Sequence, residues 1–159
     1  MKKGSTDCDY WDFHPKLFGS LCAIVTKRFV DVLNNLGVSD DEYYLKEILV
    51  GDNLDKLYLF FVPCWGISCI NYCQSTFVHD DGHGDEIISI MSKEEHMAMI
   101  ERSCYPRVKK AILSENLHNK DIISLQSCMY PLFSERLIDA LRQNAIKGIR
   151  KVDGIEILA

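Results

Sequence analysis

Two stretches of the chain repeat apolar residues at the three- and four-residue spacing of an amphipathic helix. The first runs from about Phe18 to Leu36, and Gly37 follows where a helix terminator belongs. The second begins at Ser134 and ends near Gly148. The residues on these helices that should be mostly buried are Leu21, Phe29, Leu33, Leu137 and Leu141.

Shorter apolar runs lie between and beyond these helices and predict β-strands. They cover 44–50, 57–62, 67–73, 87–91, 107–113, 122–126 and 154–158. Ser92, followed three positions later by Glu95, has the capping-box pattern of a helix start and predicts a short helix over 93–103. The pattern as a whole predicts an α+β fold, in which a mostly antiparallel or mixed sheet packs with two main helices and one shorter helix. The predicted organisation is an irregular N-terminal arm at 1–15 and a single domain at 16–159.

The two long helical patterns also resemble each other when one is shifted by 108 residues. Thr26 then falls on Ser134 and Arg28 on Arg136. Ser134 follows an upstream proline and precedes the apolar periodicity, so we expect it to be a helix N-cap rather than part of an active site. Thr26 lies inside the first apolar pattern and is expected within the first helix. One echo of eleven residues does not by itself establish a repeat.

Composition narrows the class of protein. The chain has 159 residues, of which 47% are apolar and 26% are charged, and its net charge is −5. Because phosphate contacts need a basic face, this charge argues against nucleic-acid binding. The N-terminus lacks the apolar core of a secretory signal, and no apolar run reaches the ~18 residues of a membrane span. These features predict a cytoplasmic protein whose seven cysteines are reduced and are mostly small core residues.

A zinc site at Cys69, Cys73, His79 and His83 has suitable ligand types but unsuitable geometry. If 67–73 is a strand, the two cysteines lie ~13 Å apart, at ~3.3 Å per residue. Two thiolates on one zinc must be far closer, so no metal or other cofactor is predicted. A small cysteine- or zinc-dependent enzyme remains the alternative function, with Cys64 as the most exposed-looking thiol.

Two groups of residues are candidates for contact with a protein partner. Asp80, Asp81, Asp85 and Glu86 lie within seven residues, in a loop predicted over 79–86. Their carboxylates repel one another, and a cationic partner would relieve that repulsion. The second group consists of Trp11, in the N-terminal arm, and Trp65, because aromatic anchors are frequent in interface hot spots.

Residues 110–150 resemble a bacterial immunity-protein family of polymorphic toxin systems, the eleventh-numbered family of that series. The resemblance lies in Asp121-Ile122-Ile123-Ser124-Leu125, Ser134-Glu135-Arg136-Leu137 and Gly148-Ile149. Residues 57–77 resemble the family's preceding strand pair more loosely. Ile123 stands where the family favours Phe, and Asn71, in the upstream stretch, stands where it favours Asp. The resemblance implies a protein that binds and neutralises a cognate toxin stoichiometrically, with no enzymatic activity and no cofactor. The family carries no known catalytic residues, so the resemblance gives no reason to make Ser134 a nucleophile.

Overall fold

A computed structural model describes residues 8–12, 22–49, 56–65, 67–80, 82, 84–125, 130–149 and 156–158. Three α-helices lie in these ranges: α1 (Lys27–Leu36), α2 (Lys93–Glu101) and α3 (Glu135–Gln143). The strands there are β1 (Tyr10–Asp12), β2 (Cys22–Thr26), β3 (Tyr44–Ile48), β4 (Leu57–Phe61), β5 (Cys64–Trp65), β6 (Thr76–Asp80), β7 (Asp85–Ile88), β8 (Arg107–Ile112), β9 (Ile122–Leu125), β10 (Leu132–Phe133) and β11 (Glu156–Leu158). The fold is α+β, as the sequence predicts.

The chain divides into two compact units. Unit 1 comprises Met1–Cys64, Lys120–Ser124 and Tyr130–Lys151. Unit 2 comprises Trp65–Asn119, Leu125–Met129 and Val152–Ala159.

Unit 1 is built on an antiparallel sheet of order β1-β2-β4-β3. Strand β10 pairs antiparallel with β9 in a smaller sheet of order β10-β9-β5. Helices α1 and α3 pack against each other. Phe29, Leu33, Leu137 and Leu141 are at most 2% exposed, which confirms their predicted burial. Leu21, also predicted to be buried, lies outside the described residues.

Aromatic rings fill much of the core of unit 1. The ring of Phe29 on α1 lies 5.4 Å from that of Phe60 on β4 and 5.6 Å from that of Tyr10 on β1, measured between centroids. Tyr10 therefore belongs to the core, and Tyr10–Asp12 form a strand rather than part of an irregular arm. This correction follows from pairing with β2, which an isolated three-residue segment does not reveal.

Unit 2 contains the sheet of order β11-β8-β6-β7. Strand β11 pairs parallel with β8, and the other pairs are antiparallel. The ring of Phe77, fully buried on β6, lies 5.6 Å from those of Tyr72 and of His96 on α2. These contacts form the centre of the unit.

The helix predicted from about Phe18 to Leu36 begins only at Lys27, because residues 22–26 form strand β2. Ala23 and Val25 are buried and Ile24 is half-buried, which is the alternation of a strand. The apolar pattern of residues 22–26 therefore fits both the helical and the strand period. Pairing with β1 and β4 on either side makes this stretch a strand.

The strand predicted at 67–73 is also wrong. Ile67–Cys69 and Tyr72–Gln74 are 3₁₀ turns, separated by an isolated bridge at Ile70. Ser75 supports this conformation because its hydroxyl donates to Asn71 O at 2.7 Å and accepts from a backbone N–H of β8 at 2.9 Å. The hydroxyl of Ser75 thus makes hydrogen bonds to the backbone that a neighbouring strand would otherwise make.

The loop predicted at 79–86 is shorter in the structure. Its first two residues end β6 and its last two begin β7, so the segment is the tip of a hairpin. Among the described helices, none is both long and apolar enough to cross a membrane.

Candidate functional site

Ser134 caps helix α3, as the sequence predicts. Its Oγ accepts a hydrogen bond from the N–H of Leu137 at 3.1 Å and donates to Oδ1 of Asp121 at 2.6 Å. Arg136, two residues later, donates from Nε to the same oxygen at 3.1 Å and from Nη2 to Oδ2. The N–H of Ser134 also donates to the carbonyl of Asp121 at 2.8 Å. We call this arrangement of an acid, a hydroxyl cap and an arginine a clasp.

A second clasp lies at the start of α1. Thr26 Oγ1 accepts from Phe29 N and donates to Asp9 Oδ1 at 2.9 Å. Arg28 forms an ion pair with Asp9 Oδ2 at 3.2 Å, and the N–H of Thr26 donates to the carbonyl of Asp9 at 3.0 Å. Thr26 is thus a helix cap, and the expectation that it lies within the helix is wrong. The echo in the sequence is a structural repeat of strand, strand, cap and helix.

The two copies contact each other reciprocally. Arg28, at the start of α1, donates to the carbonyls of Asn144 and Ala145 at the end of α3. Arg136, at the start of α3, donates to the carbonyl of Leu36 at the end of α1 at 3.3 Å. The helices therefore run antiparallel, and each clasp arginine satisfies carbonyls that the other helix leaves unpaired.

The strand that begins each copy is held by one acceptor from the other copy. The N–H groups of Asp9 and of the next residue both donate to the carbonyl of Lys147, at 3.0 and 3.1 Å. In the second copy, Oε2 of Glu42 takes the place of that carbonyl and accepts from Asp121 and Ile122, both at 2.8 Å. A buried carboxylate therefore does in one copy what a backbone oxygen does in the other.

The electrostatics of the clasp at the start of α3 suit a structural role for Ser134. Burial alone would raise the pKa of Asp121, but hydrogen bonds from Arg136 and Ser134 outweigh it and lower that pKa. A carboxylate that holds its proton less tightly than usual is a poor general base. Burial raises the pKa of Glu42, against the opposing effect of its bonds from Ile122 and Asp121. The arrangement stabilises the starts of helices and strands.

Gly148, the first residue of the Gly148-Ile149 pair, lies where a side chain would not fit. Its φ is +101°, and a Cβ at this position would overlap the carbonyl oxygen of Tyr10 and the sulfur of Cys8. Glycine lets the chain after α3 pass against the start of β1.

The candidate acidic residues lie on the β6–β7 hairpin of unit 2. Asp80 ends β6 opposite Asp85, the first residue of β7, and Glu86 lies opposite His79. Asp85 forms an ion pair with Arg107 on β8, which offsets part of the predicted repulsion. Asp81 lies outside the described residues.

Strand β7 combines these acids with an exposed apolar residue. Ile87 is 64% exposed, and Met91, just beyond the strand, is 60% exposed. Within the described sheet β7 is the outermost strand, with β6 as its hydrogen-bonded neighbour. The sequence does not reveal that Ile87 and Met91 are exposed, because a run of isoleucines is typical of a buried strand.

The candidate tryptophans occupy different surroundings. Trp11 is half-buried on β1, opposite Ile24, in unit 1. Trp65 is half-buried on β5. Neither lies on the β6–β7 hairpin.

Of the four residues weighed as zinc ligands, Cys69, Cys73 and His79 lie on three different elements, and His83 lies outside the described residues. Cys69 lies on a 3₁₀ turn and is half-buried, whereas Cys73 lies on the next turn and is exposed. The described residues include no cluster of three or more His, Cys, Asp or Glu side chains that could hold a metal. Of the six described cysteines only Cys22 is buried, so the expectation of mostly core cysteines is wrong.

Two histidine contacts in unit 2 join residues that are distant in sequence. His96, 1% exposed, has its Nδ1 3.2 Å from the hydroxyl of Tyr72. Burial lowers the pKa of His96 and, with a smaller effect of Glu94, raises that of Tyr72 to about 12. His79 Nδ1 lies 3.4 Å from Sγ of Cys104. The sequence does not reveal either contact, since five histidines, seven cysteines and seven tyrosines allow many pairs.

Comparisons of the chain with known protein families, with curated proteins and with solved structures find no match.

Proposed function

We propose that the protein is a cytoplasmic immunity protein that binds a cognate bacterial toxin stoichiometrically and contacts it through the edge of the β6–β7 hairpin. The resemblance of residues 110–150 to an immunity family motivates the class. The observation that carries the location is Ile87, 64% exposed on an outermost strand beside Asp85 and Glu86. An apolar anchor within a charged rim is the usual composition of a protein interface.

The backbone of β7 supports this choice. An outermost strand presents N–H and C=O groups that an extended segment of a partner can pair with. Acidic side chains on such a strand discourage pairing with other copies of the same acidic edge, and they favour a cationic partner.

The charge of the region favours a basic toxin surface. Residues 65–119 carry eight acidic and five basic side chains. Glu86 is exposed and has no ion-pair partner among the described residues, so its charge is available to a partner. Such a surface accelerates encounter with a basic protein and makes the association rate depend on salt.

The proposal predicts that a neighbouring reading frame encodes a protein with a toxin-like C-terminal domain, and that domain is the probe for the first test. Co-expression with the immunity protein should restore growth, and the purified proteins should form a 1:1 complex. Growth arrest unchanged by co-expression, with no complex by size-exclusion chromatography, would contradict the immunity function.

The location is tested with single substitutions on two exposed strands. Ile87→Ser should weaken binding at least about tenfold, because it removes the apolar anchor. Tyr44→Ser on β3 is the matched control, since Tyr44 is 63% exposed on an outermost strand of unit 1. Equal affinities for the two variants would remove β7 from the interface while leaving the immunity function open.

Charge is tested through association rates. Changing Asp80, Asp81 and Asp85 together to Asn should slow association and weaken its dependence on salt. The Asp85 change also leaves Arg107 without its ion-pair partner, which adds repulsion toward a basic toxin. The melting temperature should change little, and an association rate unaffected by both the substitutions and added salt would exclude these carboxylates from the contact.

A further inference from the structure

Cys104 and His79 form a thiol–imidazole pair in unit 2. Their Sγ and Nδ1 atoms are 3.4 Å apart, within hydrogen-bonding distance for sulfur, and both side chains are half-buried. The thiol can therefore donate its proton directly to the ring nitrogen, and both residues keep part of their surface accessible to solvent.

Regular structure holds both residues in place. His79 lies on β6, where its backbone lies opposite that of Glu86 on β7. Cys104 follows the end of α2, and its N–H donates to the carbonyl of Met99 at 3.0 Å. The preceding residue, Ser103, has φ of +62°, a left-handed conformation that turns the chain at this point.

We propose that Cys104 is a nucleophilic thiol and a site of covalent modification by carbon electrophiles that carry a leaving group. In the reaction the sulfur forms a bond to the electrophilic carbon as the bond to the leaving group breaks. The thiol proton passes to Nδ1 of His79 and then to solvent, and the leaving group departs with the electron pair. His79 acts as the positioned base. This inference does not depend on toxin binding.

The other thiols provide internal references because their surroundings differ. Cys64 and Cys73 are exposed, so accessibility alone would make them the most reactive. The sulfur of Cys73 lies near a backbone carbonyl rather than a base. Cys22 is buried, and its burial raises its pKa. Accessibility and the Cys104–His79 pair therefore predict opposite orders of reaction.

The experiment treats the intact protein with substoichiometric iodoacetamide and quantifies each alkylated peptide by mass spectrometry. Cys104 should react at least about tenfold faster than Cys73, a small part of the ~10²–10⁴ that a positioned base can contribute. His79→Gln should remove that advantage and leave Cys64 and Cys73 unchanged. Cys22 reports on folding, since it becomes alkylated when unit 1 opens.

Two results would overturn the proposal. One is that Cys104 of the wild-type protein reacts no faster than Cys73, a result that does not depend on the folding of any variant. The other is a folded His79→Gln protein in which Cys104 keeps its advantage, because its reactivity would then have a different origin.

Discussion

At the scale of single residues, the hydroxyl of each clasp makes two hydrogen bonds, one to a helix N–H and one to a buried carboxylate. Ser134 accepts from a helix N–H and donates to Asp121, and Thr26 does the same with Asp9. Both acids are buried, at 5% and 8% exposure, and a buried carboxylate needs hydrogen-bond donors in place of water. The arginine two residues after each cap supplies the positive charge.

We expect Ser134→Ala and Thr26→Ala each to lower the free energy of unfolding by about 1–2 kcal/mol, at the upper part of the range for helix caps. The loss exceeds that of a simple cap because a buried carboxylate also loses a donor. Ser92→Ala is the matched control, since Ser92 caps α2 by accepting from Glu95 N, at 3.2 Å. Urea unfolding measures all three changes.

A smaller effect at Ser134 than at Ser92 would contradict the importance of the clasp. Because Ser134 lies in unit 1 and is not placed in the proposed toxin contact, its alanine variant should keep its affinity for the toxin. Loss of protection with unchanged stability would instead assign Ser134 to the interface.

At the scale of elements, helices α1 and α3 end in the same way. In each, one residue adopts a left-handed conformation and the chain closes with two bonds back to the last turn. The bonds are Gly37 N to Asn34 O and Val38 N to Leu33 O in α1, and Ala145 N to Arg142 O and Ile146 N to Leu141 O in α3. The left-handed residue is Gly37 in the first copy and Ala145, with φ of +50°, in the second.

This difference predicts opposite effects of exchanging the two residues. Gly37→Ala should destabilise the protein by about 1 kcal/mol, because alanine is strained at φ of +72° although no atom lies within 4 Å of its Cβ. Ala145→Gly should stabilise it by about 0.5 kcal/mol, since relief of strain exceeds the added entropy of the unfolded chain. Thermal and urea unfolding of the two single variants provide the measurement, and effects of the same sign would contradict the repeated geometry.

At the scale of the whole molecule, each unit contains a buried group that titrates in acid. The pKa of His96 in unit 2 is lowered by burial. The pKa of Asp121 in unit 1 is also lowered, because bonds from Arg136 and Ser134 outweigh the effect of burial. A group whose pKa is lowered by folding contributes stability above its unfolded value and loses that contribution as the pH falls through its folded value.

Two separate losses of stability should therefore accompany acidification. The first begins below about pH 6.5, the ordinary value for His96, and the second below about pH 3.8, the ordinary value for Asp121. His96→Gln should flatten the upper part of the profile and Asp121→Asn the lower part, when unfolding free energies are measured between pH 7.5 and pH 2.5. An upper slope that survives His96→Gln would show that another group controls it.

Much of the local structure follows from sequence because its determinants lie within a few residues. The sequence predicts Ser134 and Ser92 as caps, from a hydroxyl followed by helical periodicity, and Gly37 as a terminator, and the structure confirms all three. Cap and terminator bonds join residues three to five positions apart, so a short stretch contains both partners. The α+β class and the burial of α1 and α3 follow from periodicity in the same way.

Tertiary structure decided what local patterns leave open. Residues 22–26 suit a helix or a strand, and bonds to β1 and β4 selected the strand. The partners of Thr26, Ser134 and Cys104 lie 17, 13 and 25 residues away, at separations that no fixed spacing encodes. Local hydrogen bonds are limited by the geometry of one turn, whereas distant contacts depend on how the strands align, and alignment is fixed only when the core is packed.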